Sequence, residues 1–233
     1  MTVVALLHGG MHWGWSWDLV RECLEAAGFR VVTPDLPVED DEAGAEAWAS
    51  TAIDAINSVV GTSDPDVVVV AHSIAGLCLP VVAGRRRIRR MAFLSALVPL
   101  PGRSFVDSLA EHPDILPFVA TVNEVGEAIG FSWESIRDAF YHDCPEALAR
   151  KAFRTLRRQS ITVFVEQCPL TQWPEVPASS IVMTRDRVVD PAWSRGMARD
   201  LHGGSLIELD GGHSPFFANP RALCDVLTDL AGA

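Results

Sequence analysis

Cysteine is scarce and scattered in this chain of 233 residues. Cys23, Cys78, Cys144, Cys168 and Cys224 are odd in number and include no CxxC pair. That pattern excludes a zinc knuckle and the disulfide framework of a small secreted domain, and all five are read as reduced thiols. Positive charge is also in deficit, with 19 Lys and Arg against 30 Asp and Glu for a net charge of −11, a balance that repels phosphate backbones and excludes nucleic acid as a general partner. No apolar run reaches the roughly 20 residues of a membrane span. The most apolar window, residues 67–82, is interrupted by His72, Ser73, Gly76 and Pro80. The first residues carry neither a basic leader nor a lipidation signal, so no membrane anchor is expected and the cytoplasm is the expected compartment. GxGxxG, GK[ST] and HExxH are all missing, which argues against a bound nucleotide, cofactor or metal. No repeat, low-complexity tract or flexible linker divides the chain, and one domain is expected.

What is present is an alternation of short β-rich apolar runs with longer amphipathic stretches, the pattern of a parallel sheet covered on both faces by helices. Strands are expected at 3–7, 29–33, 67–71, 90–95, 180–184 and 205–209. Helices are expected at 17–27, 43–60, 74–83, 191–201 and 220–230. The rhythm stops between Pro99 and Pro177, where helical stretches at 133–141 and 145–158 dominate. The expected architecture is therefore an α/β, doubly wound, mostly parallel six-stranded sheet. Its core comprises residues 1–98 and 178–233, with a helical cap inserted at 99–177. The basic run 84–90 reads as cations at a helix C-terminus, followed by entry into a strand.

Four segments carry chemistry. In Val67-Val-Val-Val-Ala-His72-Ser73-Ile74-Ala75-Gly76 a buried strand runs into a small-residue turn and then a helix, the setting of a nucleophile elbow, with Ala71 and Ala75 where glycines are common. The competing role for Ser73 is a helix N-cap. In Leu7-His8-Gly9-Gly10 the first strand ends in a glycine loop whose amides can face a ligand. The N–H groups of Gly10 and Ile74 are the expected oxyanion donors, and a simple tight turn is the alternative. His213 lies in a glycine-rich loop just past the last strand, where a general base belongs, though a lone loop histidine is commonly a solvated surface residue. Asp186 follows the strand before it and would hold the histidine's Nδ1–H, whereas Asp190 fits an N-cap for the helix opening at Pro191. The chain order of oxyanion loop, Ser73, Asp186, His213 matches a serine-hydrolase triad, with each member at the carboxyl end of its strand.

At these residues the chain resembles the small plant-type methylesterase and hydroxynitrile lyase branch of the α/β-hydrolases, together with its bacterial esterase relatives. The segment Leu7-His-Gly-Gly-Met-His-Trp-Gly-Trp-Ser-Trp17 is similar to that branch's entry motif, with Trp13 in place of a glycine. Asp35-Leu36-Pro37 and Tyr141-His-Asp-Cys-Pro-Glu146 are similar to two further motifs. The resemblance covers nearly the whole chain. It implies the α/β-hydrolase fold, a Ser73-His213-Asp186 triad and an oxyanion hole from Gly10 and Ile74. The lyases of the branch resemble one another in a threonine at the position of Gly9 and a lysine at that of Ser214. This chain lacks both, so ester hydrolysis is the activity implied.

The substrate is expected between triad and cap, against Gly9, Phe131, Trp133 and Phe140, although part of that aromatic stripe would serve as the cap's own core. A small apolar pocket suits compact or aromatic esters. A C–C hydrolase or lactonase would use the same triad with added polar groups, for which His142 and Arg137 are available. A ligand-binding relative without turnover is the non-enzymatic alternative. A homodimer is compatible with the sequence.

Overall fold

The computed structural model describes residues 1–62, 66–118, 131–201 and 204–232. Six strands form one sheet: β1 (Val3–Leu7), β2 (Arg30–Val32), β3 (Val67–His72), β4 (Arg90–Leu94), β5 (Ala178–Met183) and β6 (Ser205–Leu209). Every pairing is parallel and the spatial order is β2-β1-β3-β4-β5-β6. The central strands are apolar on both faces because helices cover both. Every residue of β1 and β3 is buried, whereas the edge strands β2 and β6 are partly open to solvent.

The helices of the core are α1 (Asp18–Ala26), α2 (Ala45–Val60), α3 (Leu79–Arg85), α7 (Pro191–Leu201) and α8 (Pro220–Gly232). Between β4 and β5 lie α4 (Phe105–Glu111), α5 (Trp133–Phe140) and α6 (Glu146–Arg154). Residues 119–130 of the expected cap lie outside the described residues. Ser104 starts α4 with a capping box, accepting from the Asp107 amide while the Asp107 carboxylate accepts from the Ser104 amide.

Three details depart from the sequence reading. The helix expected at 74–83 is a 3-10 turn, Ser73–Leu77, followed by α3, whose first turn holds Pro80 where the missing N–H costs nothing. The helix expected at 145–158 stops at Arg154, because the Arg157 amide donates to Met11 O at 2.8 Å and its side chain turns onto the first loop. The third concerns cysteine: Cys23 of α1 and Cys224 of α8 form a disulfide across a separation of 201 residues. The reading of five reduced thiols is corrected to three, Cys78, Cys144 and Cys168. Helices from the two ends of the chain pack side by side, a proximity that spacing in sequence does not reveal. The cytoplasmic expectation loses the support of free thiols, since disulfides persist mainly in oxidising compartments.

The basic run behaves as read. Arg85 ends α3 and donates to Glu46 O and Ser50 Oγ, while the buried Arg86 donates to Asn57 Oδ1 and Gly61 O. Among the described residues no helix is long and apolar enough to cross a membrane.

Candidate active site

The four segments meet at the carboxyl ends of β1, β3, β5 and β6, the edge at which open parallel sheets place their ligands. β3 ends at His72, and Ser73 adopts φ +55°, a left-handed conformation that a serine holds only when its surroundings impose it. They do so here. The Leu97 amide donates to Ser73 O at 2.9 Å. An ideal Cβ on Gly76 would lie 2.1 Å from Leu97 O, so the turn after Ser73 packs on the β4 loop only because residue 76 has no side chain. Ala71 and Ala75, at positions where glycines are common, are fully buried.

His213 is fully buried. Its Nδ1 lies 2.9 Å from Asp186 Oδ2 and 3.1 Å from Oδ1. The carboxylate is anchored in turn, with Oδ1 accepting from the amides of Val188 at 2.8 Å and Val189 at 3.1 Å. A carboxylate can only accept, so Nδ1 carries the proton and Nε2 is bare. That nitrogen is buried and has no hydrogen-bond partner among the described residues. Asp190 caps α7 through the amides of Ala192 and Trp193, which leaves Asp186 as the carboxylate that meets the histidine.

Three further buried histidines surround the site, each with its tautomer set by its partners. His8 Nδ1–H donates to Gly9 O at 2.8 Å while Nε2 accepts from the Leu36 amide at 2.9 Å. His12 Nδ1–H donates to Gly10 O at 2.6 Å and Nε2 accepts from the Tyr141 hydroxyl at 2.7 Å. His72 Nε2–H donates to His213 O at 2.9 Å. Burial lowers all three pKa values, to about 3 at His8, to about 4 at His12 and well below the ordinary value at His72. Two of these neutral rings, His12 and His72, interact with His213. Gly9 is required by this packing, since a Cβ there would lie 2.7 Å from His72 Nδ1 and 3.0 Å from Ser73 Cβ.

The amides of Gly10 and Ile74 have no acceptor among the described residues. Ile74 stands in the first turn of a helical segment, where amides lack intrahelical partners. A cavity of about 400 Å³ opens beside them, with Gly10, Ser73 and Ile74 on its wall. Leu116, Phe118, Phe131, Phe140, Phe164 and Val188 supply most of the remaining lining, and Gln159 and Arg158 are its long polar side chains. Phe140 also meets the His213 ring edge-on at 5.3 Å.

Of the substrate-contact residues expected from sequence, Phe131 and Phe140 line this cavity. Gly9 lies behind Ser73. Trp133 packs instead on Phe153, with the Arg150 guanidinium 4.4 Å above its ring, and belongs to the packing between α5 and α6. His142 and Arg137 also lie away from the lining, His142 donating to Arg185 O and Arg137 pairing with Glu146. Gln159, Phe118 and Phe164 escaped the sequence reading. Gln159 follows directly on an expected helix, and an isolated phenylalanine carries no local signal of cavity or core. A second hollow of about 650 Å³ lies beside Cys23 and Cys224 and contains none of these groups. Among the described residues no cluster of His, Cys, Asp and Glu could hold a metal ion.

Comparison with known proteins finds relatives along the whole chain. A pyrethroid hydrolase from Sphingobium wenxiniae is 26% identical over 252 residues, covering 100% of this chain and 89% of that protein. Methylesterase 17 from Arabidopsis thaliana is 26% identical over 251 residues, covering 97% of this chain and 90% of that one. The crystal structure of a methylesterase protein from Arabidopsis superposes with a TM-score of 0.79 at 22% identity over 100% of this chain and 99% of that one, a likeness of fold. The description of the alpha/beta hydrolase family matches residues 4–226, and the chain belongs to that family.

Proposed function

We propose that the protein is a carboxylic ester hydrolase working through Ser73, His213 and Asp186. The observation that carries this reading is the buried, bare Nε2 of His213. Its opposite nitrogen is committed to Asp186, and its main-chain carbonyl is held by the residue preceding Ser73. An unpartnered buried nitrogen costs on the order of 1–3 kcal/mol, and a proton to accept gives it a purpose.

In the proposed reaction the ester carbonyl enters the cavity and Ser73 Oγ attacks its carbon while His213 Nε2 takes the hydroxyl proton. Asp186 holds Nδ1–H and stabilises the imidazolium that forms. The negative charge that develops on the carbonyl oxygen is met by the Gly10 and Ile74 amides. One such donor typically contributes about 3 kcal/mol to transition-state binding. The imidazolium then protonates the departing alcohol, leaving an acyl-serine. A water deprotonated by the same nitrogen attacks that acyl-serine and releases the acid.

The cavity favours uncharged esters of compact apolar or aromatic acids. Its walls are mainly aliphatic and aromatic, and the lining cation Arg158 is paired with Asp41 at 2.7 Å. The relatives named as a pyrethroid hydrolase and a methylesterase support ester chemistry. A C–C hydrolase needing a second carbonyl clamp is less well served, because His142 and Arg137 are engaged elsewhere.

The test is labelling by a fluorophosphonate probe together with turnover of p-nitrophenyl acetate, in wild type and Ser73→Ala. Label on Ser73 and turnover that vanishes in the variant are expected. An unlabelled Ser73 and no serine-dependent turnover would overturn the reading and favour a ligand-binding protein.

A further inference from the structure

The two catalytic loops start from strands that never touch. β1 delivers the Gly9-Gly10 loop and β6 delivers His213, and in the sheet β3, β4 and β5 stand between them. No ladder hydrogen bond can therefore set one loop against the other, yet acyl transfer needs both in register to within a fraction of an ångström. A third element reaches both loops: the turn at residues 141–144, between α5 and α6.

One end of this turn grips the oxyanion loop. Tyr141 is 1% exposed, and its hydroxyl donates to His12 Nε2 at 2.7 Å. That bond leaves His12 with its proton on Nδ1, which donates to Gly10 O at 2.6 Å. Burial pushes the phenol well above its ordinary range and lowers His12 to about 4, so the hydroxyl stays the donor and the imidazole the acceptor. The other end grips the base loop. Asp143 Oδ2 accepts from the Gly212 amide at 2.6 Å, and the Cys144 thiol lies 3.7 Å from Ser214 O, so the residues on both sides of His213 are held. Gly212 admits this contact because it has no side chain: a Cβ there would lie 2.8 Å from Asp143 Oδ1 and 2.5 Å from His142 Nε2. The turn is itself closed by the Cys144 amide donating to Tyr141 O at 3.0 Å.

We propose that Tyr141 and Asp143 are positioning residues through which the segment inserted between β4 and β5 sets the oxyanion loop and the base loop in register. Neither touches the reacting atoms. Tyr141 acts through His12 on the Gly10 peptide, and Asp143 acts through the Gly212 peptide on His213. The proposal rests on the esterase reading above.

The test compares Tyr141→Phe, Asp143→Ala and Asp143→Asn with wild type, all rates being expressed per site titrated with the fluorophosphonate probe so that misfolded protein drops out. Displacements of this kind cost up to about 100-fold in rate. Tyr141→Phe and Asp143→Ala are therefore expected to lose at least about 10-fold in kcat, with KM within about twofold. Asp143→Asn keeps a carbonyl oxygen to accept from the Gly212 amide and is expected to stay within about threefold of wild type. Unchanged kcat per titrated site in Tyr141→Phe and Asp143→Ala overturns the positioning roles, as does an impairment in Asp143→Asn equal to that in Asp143→Ala. Wild type that takes no label at Ser73 fails the esterase reading first and the proposal with it, a result distinct from labelled wild type with unaffected variants.

Discussion

His72 donates its Nε2–H to the main-chain carbonyl of His213 at 2.9 Å, with the two rings 4.5 Å apart. The residue next to Ser73 thus holds the backbone of His213. His72→Leu would leave that carbonyl buried without a donor, costing about 1–3 kcal/mol. The expected result is a lower urea midpoint and a fall in kcat larger than any change in KM, measured by denaturation and steady-state kinetics on one preparation.

Asp186→Asn should preserve the fold while abolishing most turnover. The amide oxygen can still accept from Val188 and Val189, but its NH2 would face His213 Nδ1 and draw the proton to Nε2. In a serine protease with the same arrangement, the equivalent wrong tautomer lowers kcat by about 10⁴. Circular dichroism that matches wild type beside such a loss is expected, and undiminished turnover would remove Asp186 from the triad.

Two glycines separate crowding from backbone conformation. Gly76→Ala places Cβ 2.1 Å from a main-chain oxygen, whereas Gly61→Ala, at φ +74°, meets nothing within 4 Å. The Gly61 change should cost about 1 kcal/mol through its left-handed backbone. The Gly76 change should cost about 3 kcal/mol or more, the upper end for an overpacked core. Comparison of thermal midpoints decides the order.

Acid should destabilise the protein well before its carboxylates titrate. In the unfolded chain His8, His12 and His72 protonate near 6.5, but in the fold His12 resists to about 4 and His8 to about 3. Below pH 6.5 the unfolded state therefore holds more protons, and stability present above that pH is lost as it falls, by up to about 1.4 kcal/mol per unit for each histidine. Urea titrations from pH 8 to 4 should show a plateau and then a steep decline, shallower by about one proton in His12→Gln.

Reductant should lower the melting temperature of wild type and leave Cys23→Ser/Cys224→Ser unaffected. Loss of a native disulfide typically costs about 2–5 kcal/mol. Equal melting with and without reductant in wild type would contradict the bond.

The sheet was legible in the sequence because its strands are short, largely apolar runs, too short to be helices and bounded by turn residues, with the valine run at 67–70 the clearest. The proposed triad was legible because each member lies within a few residues of the end of such a run. Contacts between distant segments were not. Nothing around Cys23 points to Cys224, and residues 155–158 continue a helical pattern until Arg157 is drawn to the carbonyl of His12 with its guanidinium 3.6 Å over the Trp13 ring. Trp133 misled for the converse reason: its helical spacing with Ile136 and Phe140 is real, but at its end of α5 the ring packs on Phe153 of α6, whereas Phe140 reaches the cavity.

The bond between Cys23 and Cys224 turns residues 23–224 into a covalent ring. Scission of one peptide bond anywhere within that ring, including the stretch between β4 and β5, opens the circle without dividing the molecule. Ser73 and His213, which then fall on different fragments for any cut between them, stay tethered through α1 and α8 rather than through the backbone that once joined them.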